Sequence, residues 1–365
     1  MDELALAERL IAFDTSYAGG LRRAAEFVGG WLESRDIEAK QIEARGLPVT
    51  MAEVGPADAP TLVMHGHLDV VPGEPDQFKP RVEGDRLFGR GAYDMKGALA
   101  VMMLVLHGAR EQESVRLRLG VVSDEESEEE ANRGSDAMVA DGFVGDFAIT
   151  GEPTNLQVGV AAKGVLAMRL EVSGHAAHGA TPWLGDNAIV KAVEVFRGIE
   201  SLPFARQSSE LFDRPSINLG RIVGGDALNR VPDHCVMDVD VRFLPEQDAE
   251  EILDQVAGLP GTHVLTTFRR PPAVVAEESP FVVGLCEAAS PHHPERVMSV
   301  GRDGASDAVA FLAVGVPAVE FGPVGDGHHG PDEWVSVSSL RSYRQALEGF
   351  VGDFPGMIPE NGQAG

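Results

Sequence analysis

Short apolar runs alternate with helical patterns along the first part of this chain. The run TLVM at 61–64 follows residues at helical spacing, and an apolar helical pattern after Lys96 leads to the run RLRLGVV at 116–122. Strands that are separated by helices pair side by side in a parallel sheet, because each helix carries the chain back to the same end. The alternation therefore predicts an α/β fold in which helices flank a mostly parallel central sheet.

The pattern changes near Val165 and changes back at RRPPA, residues 269–273. The segments between these points predict a strand, a helix, two strands, a helix and a strand, in the order VLAMRLEV, NAIVKAVEVFRGI, SINLGRIV, CVMDVDVRF, DAEEILDQVAG and THVLTTF. This β-α-β-β-α-β order is that of the ferredoxin-like split βαβ unit. We therefore predict a main domain of residues 1–163 and 271–365, into which a smaller domain of residues 164–270 is inserted.

Acidic residues and a histidine directly follow several of the predicted strands. His67 and Asp69 follow TLVM, the run Asp124 to Glu126 follows LGVVS, and Glu152 follows FAIT. The carboxyl ends of parallel strands meet at one edge of a sheet, which is where open α/β sheets bind their ligands. Carboxylates in such a partly buried place are costly unless they are paired or bound to metal. The sequence therefore indicates a metal or ligand site at this edge.

Histidines occur at two of these strand ends. His67 with Asp69 suits a metal site, because a histidine offers a neutral nitrogen while a nearby carboxylate holds its other ring N–H. A histidine at a strand end could also simply hydrogen-bond the backbone. His328 and His329 follow the apolar run AVEFGP. This pair predicts either one metal ligand or a pair of surface histidines.

Carboxylates complete the candidate site. Asp94 lies in the glycine-rich segment GRGAYDMKG, where it could bridge two cations through its two oxygens or cap a helix. The glycines match neither a Walker loop nor a dinucleotide fingerprint, so phosphate binding is not favoured. Glu125 and Glu126 are adjacent and can divide the work, one binding a metal and the other activating water. The glutamates at 128–130 suit a solvated acidic face.

The charge balance argues against two classes of partner. The chain has 30 basic and 57 acidic residues, and its net charge of −27 disfavours nucleic acid and an anionic membrane surface. The segment MDELALAERL is acidic and amphipathic, unlike a signal peptide, and no apolar stretch is long and uncharged enough to span a bilayer. We therefore expect a cytoplasmic protein.

Several motifs, in the same order along the chain, resemble the dizinc family that includes acetylornithine deacetylase, succinyl-diaminopimelate desuccinylase and glutamate carboxypeptidase. The resemblance spans nearly the whole chain. It rests on the motifs GHLDVVP, LFGRGAYDMKG, SDEE, GEP, GHAAHGATPWLGDNAI, INLGRIVGGDALNRVPD, VDVR, GASDA and HHGPDEW. It implies a zinc-peptidase-like catalytic domain that carries an inserted lid domain.

The resemblance also implies a set of metal ligands. His67 and Glu152 would bind one zinc ion, Glu126 and His329 would bind a second, and Asp94 would bridge the two. Of the two adjacent histidines, His329 is implied because it stands four residues before the glutamate of HHGPDEW. Cobalt or manganese could substitute for zinc.

Three further residues would act in catalysis. By the resemblance, Glu125 would be the general base, taking a proton from water and passing it to the leaving amine. Asp69 would orient His67. His178 would stabilise the oxyanion, reaching across from the partner subunit in dimeric members of the family.

Residues of the lid would bind the substrate. Asn229 and Arg242 match substrate-binding residues, and the planar fork of arginine suits a carboxylate. Gly304 matches a backbone contact. Ala305 stands where succinyl-diaminopimelate desuccinylases typically carry threonine, so the chain lacks one hydroxyl that would help to bind that substrate.

These features lead to a functional hypothesis. We predict a zinc-dependent metallopeptidase-like hydrolase that deacylates an N-acyl amino acid or diamino acid in amino-acid biosynthesis, and that forms a homodimer through its lid domain. A dipeptidase or carboxypeptidase on the same scaffold is the nearest alternative, because the same chemistry cleaves either amide. A metal-dependent binding protein without catalysis is a third possibility.

Overall fold

The computed structural model describes residues 2–127, 132–293 and 297–358, so the glutamates at 128–130 lie outside the described residues. The chain divides into two compact units. The main unit comprises Met1–Val160, Val275–Val300 and Asp307–Gly365, and the inserted unit comprises Ala161–Val274 and Gly301–Ser306. The domain boundaries proposed from the sequence stay a prediction.

The described residues form helices and strands in both units. The helices are α1 Glu3–Ile11, α2 Ala18–Glu33, α3 Gly97–Gly108, α4 Gly134–Ala140, α5 Ala188–Ile199, α6 Ala249–Ala257, α7 Pro280–Ala289, α8 Ala308–Leu312 and α9 Val337–Asp353. The strands are β1 Ala39–Ala44, β2 Leu47–Val54, β3 Thr61–His67, β4 Arg81–Glu83, β5 Arg86–Phe88, β6 Arg116–Val122, β7 Phe147–Thr150, β8 Val158–Ala162, β9 Gly164–Ser173, β10 Ser216–Gly224, β11 His234–Phe243, β12 Thr262–Arg270, β13 Ala273–Val274, β14 Ser299–Arg302, β15 Ala318–Glu320, β16 Gly325–Asp326 and β17 Trp334–Ser336.

The large sheet has the strand order β1-β2-β6-β3-β7-β15-β8-β13, and β14 also pairs with β8. Its four central strands are parallel, because β3 pairs in parallel with both β6 and β7, and β15 pairs in parallel with β7. The outer strands β1, β2 and β8 run antiparallel to their neighbours. The predicted α/β fold with a mostly parallel centre is confirmed, and the antiparallel strands lie at its margins.

Helices cover this sheet. Helix α3 is apolar all round, and its residues 98–106 are at most 5% exposed, as expected for a helix that is enclosed on every side. Helix α9 packs on α3 and α7. The helical spacing of Leu340, Tyr343, Leu347 and Phe350 predicts an apolar face on this helix, and all four residues are fully buried. Both helices therefore contribute buried apolar side chains to the core beside the central strands.

The inserted unit is ferredoxin-like, as predicted. Its antiparallel sheet has the order β10-β11-β9-β12, with α5 between β9 and β10 and α6 between β11 and β12. Residues at alternate positions of the two central strands, such as Leu170 and Met237, are buried in the core of this unit, to which both helices contribute. Each helix begins at a side-chain cap, Asn187 for α5 and Asp248 for α6.

Some elements were not predicted from the sequence. The hairpin β1–β2 is one of them, and a small antiparallel sheet of order β16-β17-β5-β4 is another. The strands of this small sheet are only two or three residues long, too short for an alternating apolar pattern to be recognised.

Within the described ranges, no helix is both long and apolar enough to cross a membrane. The cytoplasmic location stays a prediction.

Candidate metal centre

Three of the four central strands, β6, β3 and β7, bring predicted site residues to one edge of the sheet. His67 is the last residue of β3, Glu125 and Glu126 follow the end of β6, and Glu152 follows the end of β7. Because β6, β3 and β7 are parallel neighbours, their carboxyl ends lie side by side. The loops that follow them therefore converge on a single place.

One group of potential ligands consists of His67, Asp94 and Glu152. Nε2 of His67 lies 3.2 Å from Asp94 Oδ1 and 3.7 Å from Glu152 Oε1. The His67 side chain is completely buried, and those of Asp94 and Glu152 are 12% and 11% exposed. This group is therefore a closed cluster of one nitrogen and two carboxylate donors.

A second group consists of Asp94, Glu126 and His329. Nε2 of His329 lies 3.0 Å from Glu126 Oε1 and 3.5 Å from Asp94 Oδ2. His329 lies in the loop between β16 and β17, and half of its side chain is exposed, so this group is the more open of the two. Asp94 thus turns one carboxylate oxygen toward each group.

Asp69 connects two of the converging loops. Its main-chain oxygen lies 2.9 Å from Nδ1 of His67, whereas its Oδ1 lies 3.5 Å from the same nitrogen. Its Oδ2 accepts a 2.7 Å hydrogen bond from the backbone N–H of Glu126. The main-chain carbonyl of Asp69 therefore hydrogen-bonds His67. The carboxylate of Asp69 holds the loop after β6.

Two residues that sequence reasoning missed hold the loop of Asp94. The carboxylate of Glu333 accepts hydrogen bonds of 2.9–3.1 Å from three backbone N–H groups in segment 91–94. It also pairs with Arg90 at 2.9 Å, and Arg90 donates to the main-chain oxygen of His329. Glu333 stands in HHGPDEW and Arg90 in LFGRGAYDMKG, but nothing in either local sequence indicates these contacts.

We predict that Arg90→Met lowers the free energy of unfolding by about 3–5 kcal/mol, because it leaves the Glu333 carboxylate buried without its cation. The two side chains are only 4% and 1% exposed. Urea unfolding of the unaltered protein and of Arg90→Met measures the difference in the free energy of unfolding. The matched control is Arg81→Met, which breaks an exposed pair with Glu83 and should change stability by no more than about 1 kcal/mol. Equal losses in both variants would contradict the prediction.

Asn155 joins three parts of the site by one side-chain oxygen. Its Oδ1 accepts a 2.8 Å hydrogen bond from the hydroxyl of Tyr93 and a 3.1 Å hydrogen bond from the backbone N–H of Gly325. The loop that carries Glu152 is thereby tied to the loop of Asp94 and to strand β16. Nothing in the local sequence marks Asn155 for this position.

The charges of the site favour bound cations. Burial raises the pKa of Glu152 well above its ordinary value, and the Asp94 carboxylate adds to the rise. Burial likewise raises the pKa of Glu125 to about 8, and nearby carboxylates act in the same direction. Hydrogen bonds with Asp94 and Glu126 raise the pKa of His329 to about 10. The same crowded carboxylates that hold protons here would attract divalent cations.

The donor set fits such cations. Oε1 of Glu152 is buried and has no hydrogen-bond partner among the described residues, although a buried carboxylate oxygen needs one. In each group, one ligand atom from each residue lies within 4.8 Å of the others. Imidazole nitrogen with carboxylate oxygen suits zinc, cobalt or manganese. The residues present therefore fit metal ions at both groups.

The remaining predicted site residues lie in the inserted unit. Nδ1 of His178 accepts a 3.1 Å hydrogen bond from the N–H of Ala180, and the neighbouring Gly179 donates to the main-chain oxygen of Asn229. Arg242 lies on β11 and pairs with Asp240 at 2.9 Å. Gly304 belongs to the segment Gly301–Ser306 of the same unit. The roles of these four residues in substrate binding and catalysis stay predictions: His178, Asn229, Arg242 and Gly304.

Comparison with known proteins identifies the family to which the chain belongs. The profile of Peptidase family M20/M25/M40 matches residues 63–353, which is most of the chain and includes every residue of the two ligand groups. The chain belongs to Peptidase family M20/M25/M40. The resemblance inferred from the motifs is thereby confirmed, and this M20 protein is a metal-dependent hydrolase of amide or peptide bonds.

Individual relatives of this M20 protein agree with the assignment. A protein of Mycobacterium tuberculosis named "Putative succinyl-diaminopimelate desuccinylase DapE" is 32% identical over 80% of this chain and 82% of its own length. The M20 family metallo-carboxypeptidase Sso-CP2 of Sulfolobus solfataricus has a TM-score of 0.80 and 19% identity, over 97% of this chain and 100% of that chain. A tripeptidase of Staphylococcus aureus has a TM-score of 0.80 and 20% identity, over 97% and 98%. At these identities, the two solved structures show the shared fold alone.

Proposed function

We propose that this protein removes the acyl group from an N-acyl amino acid or N-acyl diamino acid, using two zinc ions. The observation that carries the proposal is Asp94, which turns one oxygen toward each of two groups of histidine and carboxylate donors. The relative named as a desuccinylase, at 32% identity, supports deacylation over other reactions of the family.

The proposed ligands follow from the two groups. His67 and Glu152 would hold one ion, Glu126 and His329 the other, and Asp94 both; cobalt or manganese could replace zinc. Two bound ions would polarise the carbonyl group of the amide and lower the pKa of a water molecule. The chain's own residues supply the remaining steps.

Glu125 is the proposed base. It takes a proton from the attacking water as the water oxygen bonds to the carbonyl carbon, and it returns the proton to the nitrogen as the carbon–nitrogen bond breaks. The products are a carboxylic acid and an amine. Asp69 keeps the imidazole of His67 in place through its main-chain oxygen and keeps the Glu126 loop in place through its carboxylate.

In the inserted unit, His178 is proposed to stabilise the negative charge that develops on the carbonyl oxygen, and Asn229, Arg242 and Gly304 to bind the substrate. The resemblance of their motifs supports these roles. The guanidinium of Arg242 can donate two parallel hydrogen bonds to a substrate carboxylate. We therefore expect the substrate to carry a free carboxylate, which Arg242 would bind.

Peptide cleavage is the second candidate function. The solved structures with the same fold include proteins titled a metallo-carboxypeptidase and a tripeptidase, which supports peptides as substrates. Ala305 also lacks the hydroxyl that desuccinylases of the family supply at this position. The two candidates share the reaction and differ in the group on the carbonyl side of the amide.

Hydrolysis of a panel by the zinc-loaded enzyme tests the proposal. The panel contains N-acetylornithine, N-succinyl-diaminopimelate, other N-acyl amino acids and several dipeptides, and Glu125→Gln protein prepared in parallel measures contaminating activity. We expect one acyl amino acid to be cleaved far faster than the rest. Cleavage of dipeptides alone would move the assignment to a peptidase, and no cleavage of any compound would overturn both candidates.

A homodimer through the inserted unit is also proposed. Strand β10 is an edge of its sheet, where Ile222 and Val223 are 39% and 51% exposed, and α5 exposes Val190 and Val193. An exposed apolar sheet edge is a ready surface for pairing with a second copy.

We predict that Val223→Asp separates the dimer into monomers, because it places a charge in the apolar edge. Sedimentation at micromolar protein measures the change. The control is Val82→Asp, which alters a similarly exposed valine on β4 of the main unit and should leave the dimer intact. If the partner subunit's His178 completes the site, the monomeric variant also loses activity. A dimeric Val223→Asp protein would rule out this edge as the interface.

A further inference from the structure

Arg133 hydrogen-bonds the backbone of the loop that carries Glu125 and Glu126. It directly precedes helix α4 and is only 2% exposed. Its Nη2 donates a 2.6 Å hydrogen bond to the main-chain oxygen of Glu125, and its Nη1 donates a 3.0 Å hydrogen bond to the main-chain oxygen of Ser127. The two carbonyls lie on either side of Glu126, so one guanidinium spans the segment that carries both glutamates.

Asp307 anchors this guanidinium in the core of the main unit. Its Oδ1 lies 3.5 Å from Nη2 of Arg133, and both side chains are at most 3% exposed. Ser135 donates a short hydrogen bond to Oδ2 of Asp307, and its hydroxyl also lies 3.2 Å from Nε2 of His65 on β3. Arg133 and Asp307 together form a clamp on the loop. Through Ser135 and His65 this clamp is linked to the central sheet, and through Asp307 to the start of α8.

Other contacts also hold this loop, and one is a 3.1 Å hydrogen bond that Nη1 of Arg45 donates to the hydroxyl oxygen of Ser127. The N–H of Glu126 donates to Oδ2 of Asp69 after β3, and the N–H of Gly134 donates to the carboxylate of Asp124. Without Arg133, these contacts would still fix the loop near Glu126 and near its end. They would leave the partly buried carbonyls of Glu125 and Ser127 without the hydrogen bonds from Arg133, and such carbonyls turn toward new partners.

We propose that Arg133 is a positioning residue, whose guanidinium sets the backbone at residues 125–127 and thereby the places of the base and of the adjacent metal ligand. The consequence for catalysis rests on the proposed function of Glu125 and Glu126. The clamp itself does not, because it consists of contacts within the protein. Arginine suits the position because its planar fork donates to several acceptors at once and stays charged when buried.

The kinetic prediction is a loss of turnover with little change in substrate affinity. A displacement of a catalytic group by about 1 Å can cost about 10²-fold in rate. Arg133→Met is therefore expected to lower kcat about 10- to 100-fold at saturating zinc, while KM changes less than about threefold. Arg133→Lys keeps the charge but replaces the planar fork by a single ammonium nitrogen, so its kcat should lie between those of the unaltered protein and Arg133→Met.

A second readout is independent of activity. Hydrogen exchange of the peptide 123–127 in metal-free protein reports the N–H of Glu126, which is bonded to Asp69. We expect this peptide to exchange at least about tenfold faster in Arg133→Met than in the unaltered protein, because the loop samples open states more often. A purely global loss of stability would instead speed exchange in all slow peptides alike.

Arg118 supplies the matched control. It also donates to two main-chain oxygens, those of Gly142 and Val144, and also pairs with a carboxylate, that of Glu53. Its clamp holds a different loop. Arg118→Met should leave kcat and the exchange of peptide 123–127 unchanged.

The outcomes separate the two proposals. Unaltered exchange at 123–127 in Arg133→Met overturns the clamp, and faster exchange with unaltered kcat overturns its role in positioning. If the unaltered protein cleaves nothing in the panel, the proposed function fails, and exchange alone still decides whether Arg133 holds the loop. If Arg133→Met does not fold, the same measurements are made on Arg133→Lys and Asp307→Asn, where unchanged kcat and exchange in both would overturn the proposal.

Discussion

Replacement of Glu125 by glutamine is expected to lower kcat by about 10³-fold or more, which is within the range for loss of a general base. The amide has the size and shape of the carboxylate, but it cannot take a proton from water. Steady-state kinetics on the best substrate of the panel, with metal content measured on the same samples, tests this. The variant should bind as much zinc as the unaltered protein, because Glu125 is not among the proposed ligands.

The surroundings of Glu125 explain why this residue is suited to the role. Burial, assisted by the charges of Asp307, Glu126 and Asp94, raises the pKa of its carboxyl to about 8 without metal ions, against the opposing effect of His67. Bound cations would lower this pKa toward neutrality by attraction to the carboxylate. A base with a pKa near the working pH both accepts and returns a proton readily.

Two further variants separate the loss of a base from the loss of a charge. Glu125→Asp keeps a carboxylate but draws it back by one methylene, so it should retain more activity than Glu125→Gln. Asp124→Asn removes a neighbouring negative charge from the same loop while keeping an oxygen that can accept from the N–H of Gly134. It should change kcat less than about tenfold. A Glu125→Gln protein with substantial activity would refute the assigned base.

The sequence predicted those features that depend on local periodicity. Apolar runs such as TLVM and RLRLGVV identified central strands, and helical spacing identified α9 by residues that prove to be buried. The place of the site followed from one further rule, that parallel strands end at the same edge of a sheet. Hence His67, Glu126 and Glu152 could be grouped although they are far apart in the chain.

The supporting contacts could not be predicted in this way, because they depend on how distant segments pack. Arg90 and Glu333 are 243 positions apart, and Ser135 and Asp307 are 172 apart. No periodicity connects such residues. An arginine beside a glycine, or an aspartate before a helix, carries no local sign of a distant partner. The short strands around His329 were missed for a related reason, since two or three residues carry no pattern.

Asp94→Asn is expected to lower kcat about as much as Glu125→Gln does, but through loss of metal binding. The carboxylate turns Oδ1 toward His67 and Oδ2 toward His329, so it serves both groups of donors. The asparagine side chain has a single acceptor oxygen, and its NH₂ group cannot bind a cation. The variant should therefore retain at most about one zinc ion per chain after gel filtration, and its kcat should fall about 10³-fold or more.

Asp85→Asn is the matched control for this variant. Asp85 also uses both oxygens, accepting from the hydroxyl groups of Ser336 and Ser338 and from the N–H of Ser338, but it lies outside the two ligand groups. Its replacement should leave zinc content and kcat unchanged. Full zinc content in Asp94→Asn would show that the ions do not depend on a bridging carboxylate, and each group would then have to hold its ion through its own histidine and glutamate. A loss of one ion with unchanged kcat would instead limit the reaction to a single metal, and the closed group at His67 and the open group at His329 could be told apart by removing either histidine.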